Sequence, residues 1–161
     1  MTELLGKPVA DKINEDLLPV IEDLKAKGVV PTLAVVRVGA REDDLAYERG
    51  LKKKFDSMNC RVEVMELPED VSQEDLDDTV FTLDNDPEIH GILMFRPLPK
   101  GLSDENIVKK ISAGKDSDCM GMENMANLFA GNGEGYAPCT AQAVMEVLDY
   151  ADVDVTGRHV T

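Results

Sequence analysis

A chain of 161 residues, 43% apolar and 30% charged, is the size of one domain with a hydrophobic core. Its net charge of −15 excludes nucleic acid as a partner, since phosphates need a concentrated basic surface, and leaves Arg49, Lys52 to Lys54 and Arg96 as the local cations for any anionic ligand. No apolar run approaches the roughly 20 residues of a membrane span, the start "MTELLGKPVADK" lacks a signal-peptide core, and three cysteines without a C-x-x-C pair point to a reducing, cytoplasmic setting rather than to disulfides or zinc.

Ile13, Leu17, Ile21 and Leu24 mark a first helix ending near Gly28, with Pro19 inside it as a point of kinking or splitting. "TLAVVRV" (32–38), closed by Gly39, has the profile of a strand buried on both faces. Leu51, Phe55 and Met58 give the stripe of a second helix, and "CRVEVMEL" (60–67) alternates like a half-exposed strand near a sheet edge. Ser72 with Asp75 resembles a capping box opening a helix with Leu76, Val80 and Leu83 on its core face. "HGILMF" (90–95) reads as another buried strand, stopped by Pro97 and Pro99. Ile107, Val108 and Ile111 mark a short helix, residues 123–130 a helical piece in a glycine-rich stretch, and Val144, Val147, Leu148 and Ala151 a last helix. This alternation predicts a three-layer α/β/α domain with a mainly parallel sheet. "DVDVTGRHVT" then reads as the approach to a further strand, so residues 1–151 form one domain and 152–161 the start of another.

Ligands of such sheets bind beyond the carboxyl ends of the strands. Three segments follow those ends: "GAREDDLAY", "RPLPKGL" and, more loosely, "GKDSDCMG". Tyr47 lies one turn before Leu51, either as the end of a core face or as part of an active-site helix. Lys52 to Lys54 suit a solvated face: Lys52 is about 100° around the helix from Leu51, and Lys54 lies ~10 Å along the axis from Tyr47. Asp116 and Asp118 begin a calcium-like D-x-D, but Met120 and Asn127 at later ligand places defeat it, leaving a cap for a turn or helix; no metal is expected. "GNGEGY" reads as a turn, His90 as structural, and Met120, Met122 and Met125 as core filling.

Taken together, "GILMFRPLPKG", "GKDSDCMG", "APCTAQAVMEVL" and "VTGRHVT" resemble the amino-terminal domain of methylenetetrahydrofolate dehydrogenase/cyclohydrolase, in order and spacing across nearly the whole chain. The resemblance implies a folate-binding catalytic domain whose substrate is a tetrahydrofolate and whose NAD or NADP is bound mainly by a following Rossmann-type domain. It gives Tyr47 as the catalytic-site tyrosine that packs on the aminobenzoyl group. Met94, Phe95, Arg96 and Pro97 fall on the strand-end substrate motif, Asp118 on the pterin-anchoring aspartate, and Thr140 near the cofactor. The family's catalytic lysine falls at Leu51 and its glutamine at Phe95; the glycine after the aspartate is Cys119, and the proline after "PCT" is Ala141.

Leu51 and Phe95 cannot move protons, so the expectation is a dehydrogenase with weak or lost cyclohydrolase activity, or alternatively a non-catalytic folate-binding or regulatory homologue. The chain by itself is expected to be inactive and monomeric, the whole enzyme a homodimer.

Overall fold

The structure, a computed structural model, describes residues 3–159. Three parallel strands, β1 (Thr32–Val38), β2 (Arg61–Leu67) and β3 (Gly91–Met94), form a sheet in the order β2-β1-β3. β1 is buried throughout, as its apolar run requires of a central strand, while β2 takes the edge. Helices α1 (Gly6–Ala26), α2 (Glu42–Ser57), α3 (Gln73–Asn85), α4 (Ile107–Lys110), α5 (Met122–Ala130) and α6 (Cys139–Tyr150) complete the described elements. Among the described residues no helix is long and apolar enough to cross a membrane.

The period-2 alternation of β1 divides the core in two. Ala34, Val36 and Val38 pack with Leu76, Val80 and Leu83 of α3, Ile107 of α4 and Met120. Leu33 and Val35 face the other way, with Phe95, Leu51 and Phe55. The Ser72 hydroxyl accepts the Asp75 N–H at 3.1 Å and starts α3 where the capping pattern places it. Gly39 ends β1 at φ 75°, a left-handed turn that glycine adopts without steric cost and that sends the chain into α2.

Two expectations change, and a third falls outside the described residues. α1 runs unbroken through Pro19, and Ile13 and Leu17 of its predicted core stripe are exposed, leaving Val9 and Ile21 as its buried residues. Removing one N–H costs a single bond in a helix of 21 residues, so Pro19 does not split it. Of the three methionines assigned to the core, only Met120 is buried; Met122 and Met125 lie on an exposed face of α5. The strand expected at the end of the chain would begin at residues 160–161, outside the described residues.

Candidate functional site

The carboxyl ends of the strands bring two of the three expected segments together. Gly39 to Arg41 after β1, Glu69 after β2, and Pro97 to Lys100 after β3 line a cavity of about 550 Å³. The third segment arrives beside β3. Asp116 bridges Ile92 in parallel, and the Ser117 hydroxyl donates to the Ile92 carbonyl at 2.7 Å. Chain direction then carries Asp118 toward the end of β3, where Phe95 begins.

Tyr47 stands on α2 over that end. Its ring meets Phe95 with centroids 5.3 Å apart and planes tilted by 51°, a favourable aromatic geometry. At 59% exposure Tyr47 is not a core tyrosine; it forms the open rim of the cluster containing Leu51, Phe55 and Phe95. Leu51 and Phe95 are thus packed into one apolar cluster. Leu93 and Phe95 face α2, whereas Met94 alternates to the opposite face and is 3% exposed in the α3-side core. Its expected substrate contact therefore cannot come from its side chain. Arg96 is exposed and paired with Asp104 at 3.3 Å, and Pro97 lines the cavity.

Two carboxylates in "KDSD" have different surroundings. Asp116 is fully buried and accepts the Met120 and Gly121 N–H groups at 2.8 Å each and Asn124 Nδ2 at 3.0 Å. Asp118 is half-buried; its Oδ1 accepts the Cys139 N–H at 3.1 Å, and its Oδ2 has no hydrogen bond among the described residues. Thr140 follows, exposed in the first turn of α6, its hydroxyl likewise unengaged among the described residues. Cys139 and Cys119 are both free thiols whose pKa values are raised, first by desolvation and then by neighbouring aspartates. Neither is an activated nucleophile. His90 is structural, its Nδ1 accepting the Thr32 N–H at 3.2 Å.

Sequence reasoning missed the charged residues inside the fold. Arg37, 3% exposed, donates from Nε to Glu48 Oε2 at 2.9 Å and from Nη2 to Glu66 Oε1 at 2.6 Å, and also bonds the Gly39 carbonyl. Glu48, 6% exposed, receives Lys52 Nζ on its other oxygen at 2.6 Å. Burial pushes the Glu48 carboxyl up, but hydrogen bonds from Lys52 and Arg37 outweigh it and hold its pKa below the usual value. An arginine inside an apolar strand run, with a glutamate on the next helix, was the available signal. Asn124 was missed too: it is fully buried, and its Oδ1 lies so close to Gly135 that a Cβ there would approach to 2.3 Å.

Comparison with known proteins identifies the setting of this geometry. The family described as tetrahydrofolate dehydrogenase/cyclohydrolase, catalytic domain, matches residues 4–118. The bifunctional protein FolD of Alkaliphilus oremlandii is 48% identical over 155 residues, covering 96% of this chain and 54% of that protein. The FolD of Clostridium kluyveri is 46% identical, covering 95% and 54%. The chain spans about half the length of these curated relatives. Among solved structures, the bifunctional FolD methylenetetrahydrofolate dehydrogenase/cyclohydrolase of Campylobacter jejuni superposes with a TM-score of 0.93 at 33% identity, over 96% of this chain and 55% of that one. The Trypanosoma brucei enzyme, solved with NADP cofactor and inhibitor, gives 0.87 at 32% identity, over 96% and 54%.

Proposed function

The chain belongs to the tetrahydrofolate dehydrogenase/cyclohydrolase catalytic-domain family, and from that premise we propose that it is the folate-binding part of an NAD(P)-dependent methylenetetrahydrofolate dehydrogenase with little cyclohydrolase activity. Residues 1–151 form this part, and 152–161 lead into a nucleotide-binding domain. The observation that carries the proposal is the joint packing of Leu51 and Phe95 beneath Tyr47. Hydrolysing a methenyl bridge needs an activated water and a group that moves protons. Two apolar side chains in one cluster supply neither. Oxidising the methylene group depends on holding its carbon in place, which a rigid apolar floor does well.

Each remaining residue has a positioning task. Tyr47 presents its exposed ring to the aminobenzoyl group. Asp118 offers Oδ2 to the pterin's N–H donors while Oδ1 stays fixed by Cys139. Pro97 shapes the wall beside them. A nicotinamide bound here would supply the acceptor for the hydride that leaves the methylene carbon. Thr140, with a free exposed hydroxyl, fits a contact to that cofactor.

The test is the ratio of two activities in the full-length enzyme, with methylenetetrahydrofolate oxidation and methenyltetrahydrofolate hydrolysis measured separately. Oxidation with hydrolysis near the uncatalysed rate is expected. Leu51→Lys with Phe95→Gln should raise hydrolysis, whereas Leu51→Lys alone buries a charge without a partner. Robust wild-type hydrolysis would overturn the loss of cyclohydrolase, and folate binding without oxidation would mark a non-catalytic homologue. The 161-residue chain alone should bind tetrahydrofolate, fail to bind NADP at micromolar concentration, and scatter light as a monomer, whereas the whole enzyme should be a homodimer.

A further inference from the structure

α2 has two inner flanks. Tyr47, Leu51 and Phe55 lie on the flank facing Phe95. Glu48 and Lys52, each one residue further round, lie on the flank facing Arg37 and Glu66. We propose that Glu48 is a positioning residue for the folate site: with Arg37 it fixes the rotation of α2 about its axis, so that Tyr47 meets Phe95 while Lys52 is held on the opposite flank. The proposal rests on the folate reading above.

Three observations support it. First, apolar packing alone fixes a helix's rotation loosely, because the Leu51 and Phe55 contacts are non-directional. The Arg37 Nε bond to Glu48 is directional, buried at both ends, and joins α2 to the rigid central strand. Second, Arg37 is itself immobilised, by Glu66 from β2 and by the carbonyl of Gly39 at the turn into α2. One guanidinium therefore references the helix to two strands and to its own entry turn. Third, both carboxylate oxygens of Glu48 are engaged, the second by Lys52 at 2.6 Å. A lysine next in sequence to Leu51 is thereby kept paired with Glu48, away from the Tyr47 flank, so it does not stand in for the family's lysine. Since Tyr47 and Lys52 are five residues apart, about 140° in azimuth on one helix, a rotation of α2 that advances Lys52 toward Phe95 withdraws Tyr47 at the same time.

The experiment separates positioning from plain stability. In the full-length enzyme, Glu48→Met and Arg37→Met are made singly and together, and tetrahydrofolate affinity is measured by titration beside the melting temperature. Each single variant leaves a buried charge without its partner and should melt lower; the double variant replaces the pair with apolar volume and should recover much of the loss. Tetrahydrofolate Kd should nonetheless stay raised roughly tenfold or more in the double variant, because the directional reference is gone. Recovery of affinity along with melting temperature would overturn the proposal and make the pair a stability element only. If the double variant does not recover stability, Glu48→Gln, which keeps the shape and an acceptor for Arg37, decides: near wild-type affinity supports positioning through Arg37, and a loss as large as in Glu48→Met opposes it. Wild-type enzyme that binds no tetrahydrofolate would instead overturn the proposed function.

Discussion

The amino ends of α5 and α6 are both held by a carboxylate from the same four-residue stretch, and the two ends are built for different purposes. At α5, Asp116 is sealed from solvent, with the Met120 and Gly121 N–H groups and the Asn124 amide all directed at it. At α6, Asp118 gives one oxygen to the Cys139 N–H and keeps the other open. A saturated carboxylate can only stabilise what surrounds it, whereas one with an oxygen to which no described group donates can also bind something. Position in a D-x-D motif does not separate the two; the number of donors aimed at each does.

The largest expected effect breaks the α5 side. Asp116→Ala strands the two buried N–H groups of Met120 and Gly121 and removes one of the Asn124 amide's acceptors, a loss of about 3–5 kcal/mol in urea-denaturation stability. Its effect on folate binding should be no more than its effect on the folded fraction. A mild loss, under about 1 kcal/mol, would mean that water satisfies those donors and that the α5 end is not the sealed cap described here.

The α6 side should answer in affinity instead. Asp118→Asn keeps an oxygen for the Cys139 N–H, so stability should fall by less than about 1 kcal/mol. Loss of the charged acceptor should weaken tetrahydrofolate binding by about 1.5–3 kcal/mol, roughly ten- to hundredfold. Unchanged affinity with unchanged melting temperature would reduce Asp118 to a helix cap and remove the best-matched polar residue from the folate site.

The contrast between these ends also shows what the sequence can and cannot carry. The buried run of β1, the edge character of β2, and the Ser72 cap were legible because each depends on local periodicity or a short capping pattern. Tyr47 and Asp118 drew notice in the sequence, but only the family resemblance offered them folate-site roles, since nothing local distinguishes a rim tyrosine from a core one. Arg37 and Glu48 were hidden for another reason: their partnership spans a turn, and an arginine in a buried run signals a partner without saying which residue it is. Met94 sits on the substrate motif by sequence position, but strand alternation, clear in retrospect from Leu93 and Phe95, turns its side chain to the other face. Met122 and Met125 failed because apolar content fixes neither burial nor partner; their face of α5 continues to Phe129, which is 96% exposed.

The smallest effect reads the charge of Asp118 through its neighbour. The Cys139 thiol lies beside that carboxylate and donates to the Ser117 carbonyl at 3.3 Å. Its pKa is raised, first by partial desolvation of the sulfur and then by the adjacent Asp118 carboxylate. The thiolate is the species that reacts with iodoacetamide, so alkylation at neutral pH should be slow and should climb as pH rises. Removing the charge in Asp118→Asn favours the thiolate, lowers the pKa, and should shift the alkylation profile of Cys139 to lower pH, with a few-fold faster rate at a fixed pH near 8. Asp116→Asn should leave the Cys139 profile where it is, because Asp116 is not among the groups that raise it. Cys119 serves as the internal contrast: both aspartates raise its pKa and it is buried, so it should remain unreactive until the protein unfolds. An unshifted Cys139 profile in Asp118→Asn would mean that solvent screens the carboxylate completely. A charge so screened would also be a poor anchor for a pterin, and the two ends would then differ only in how deeply they are buried.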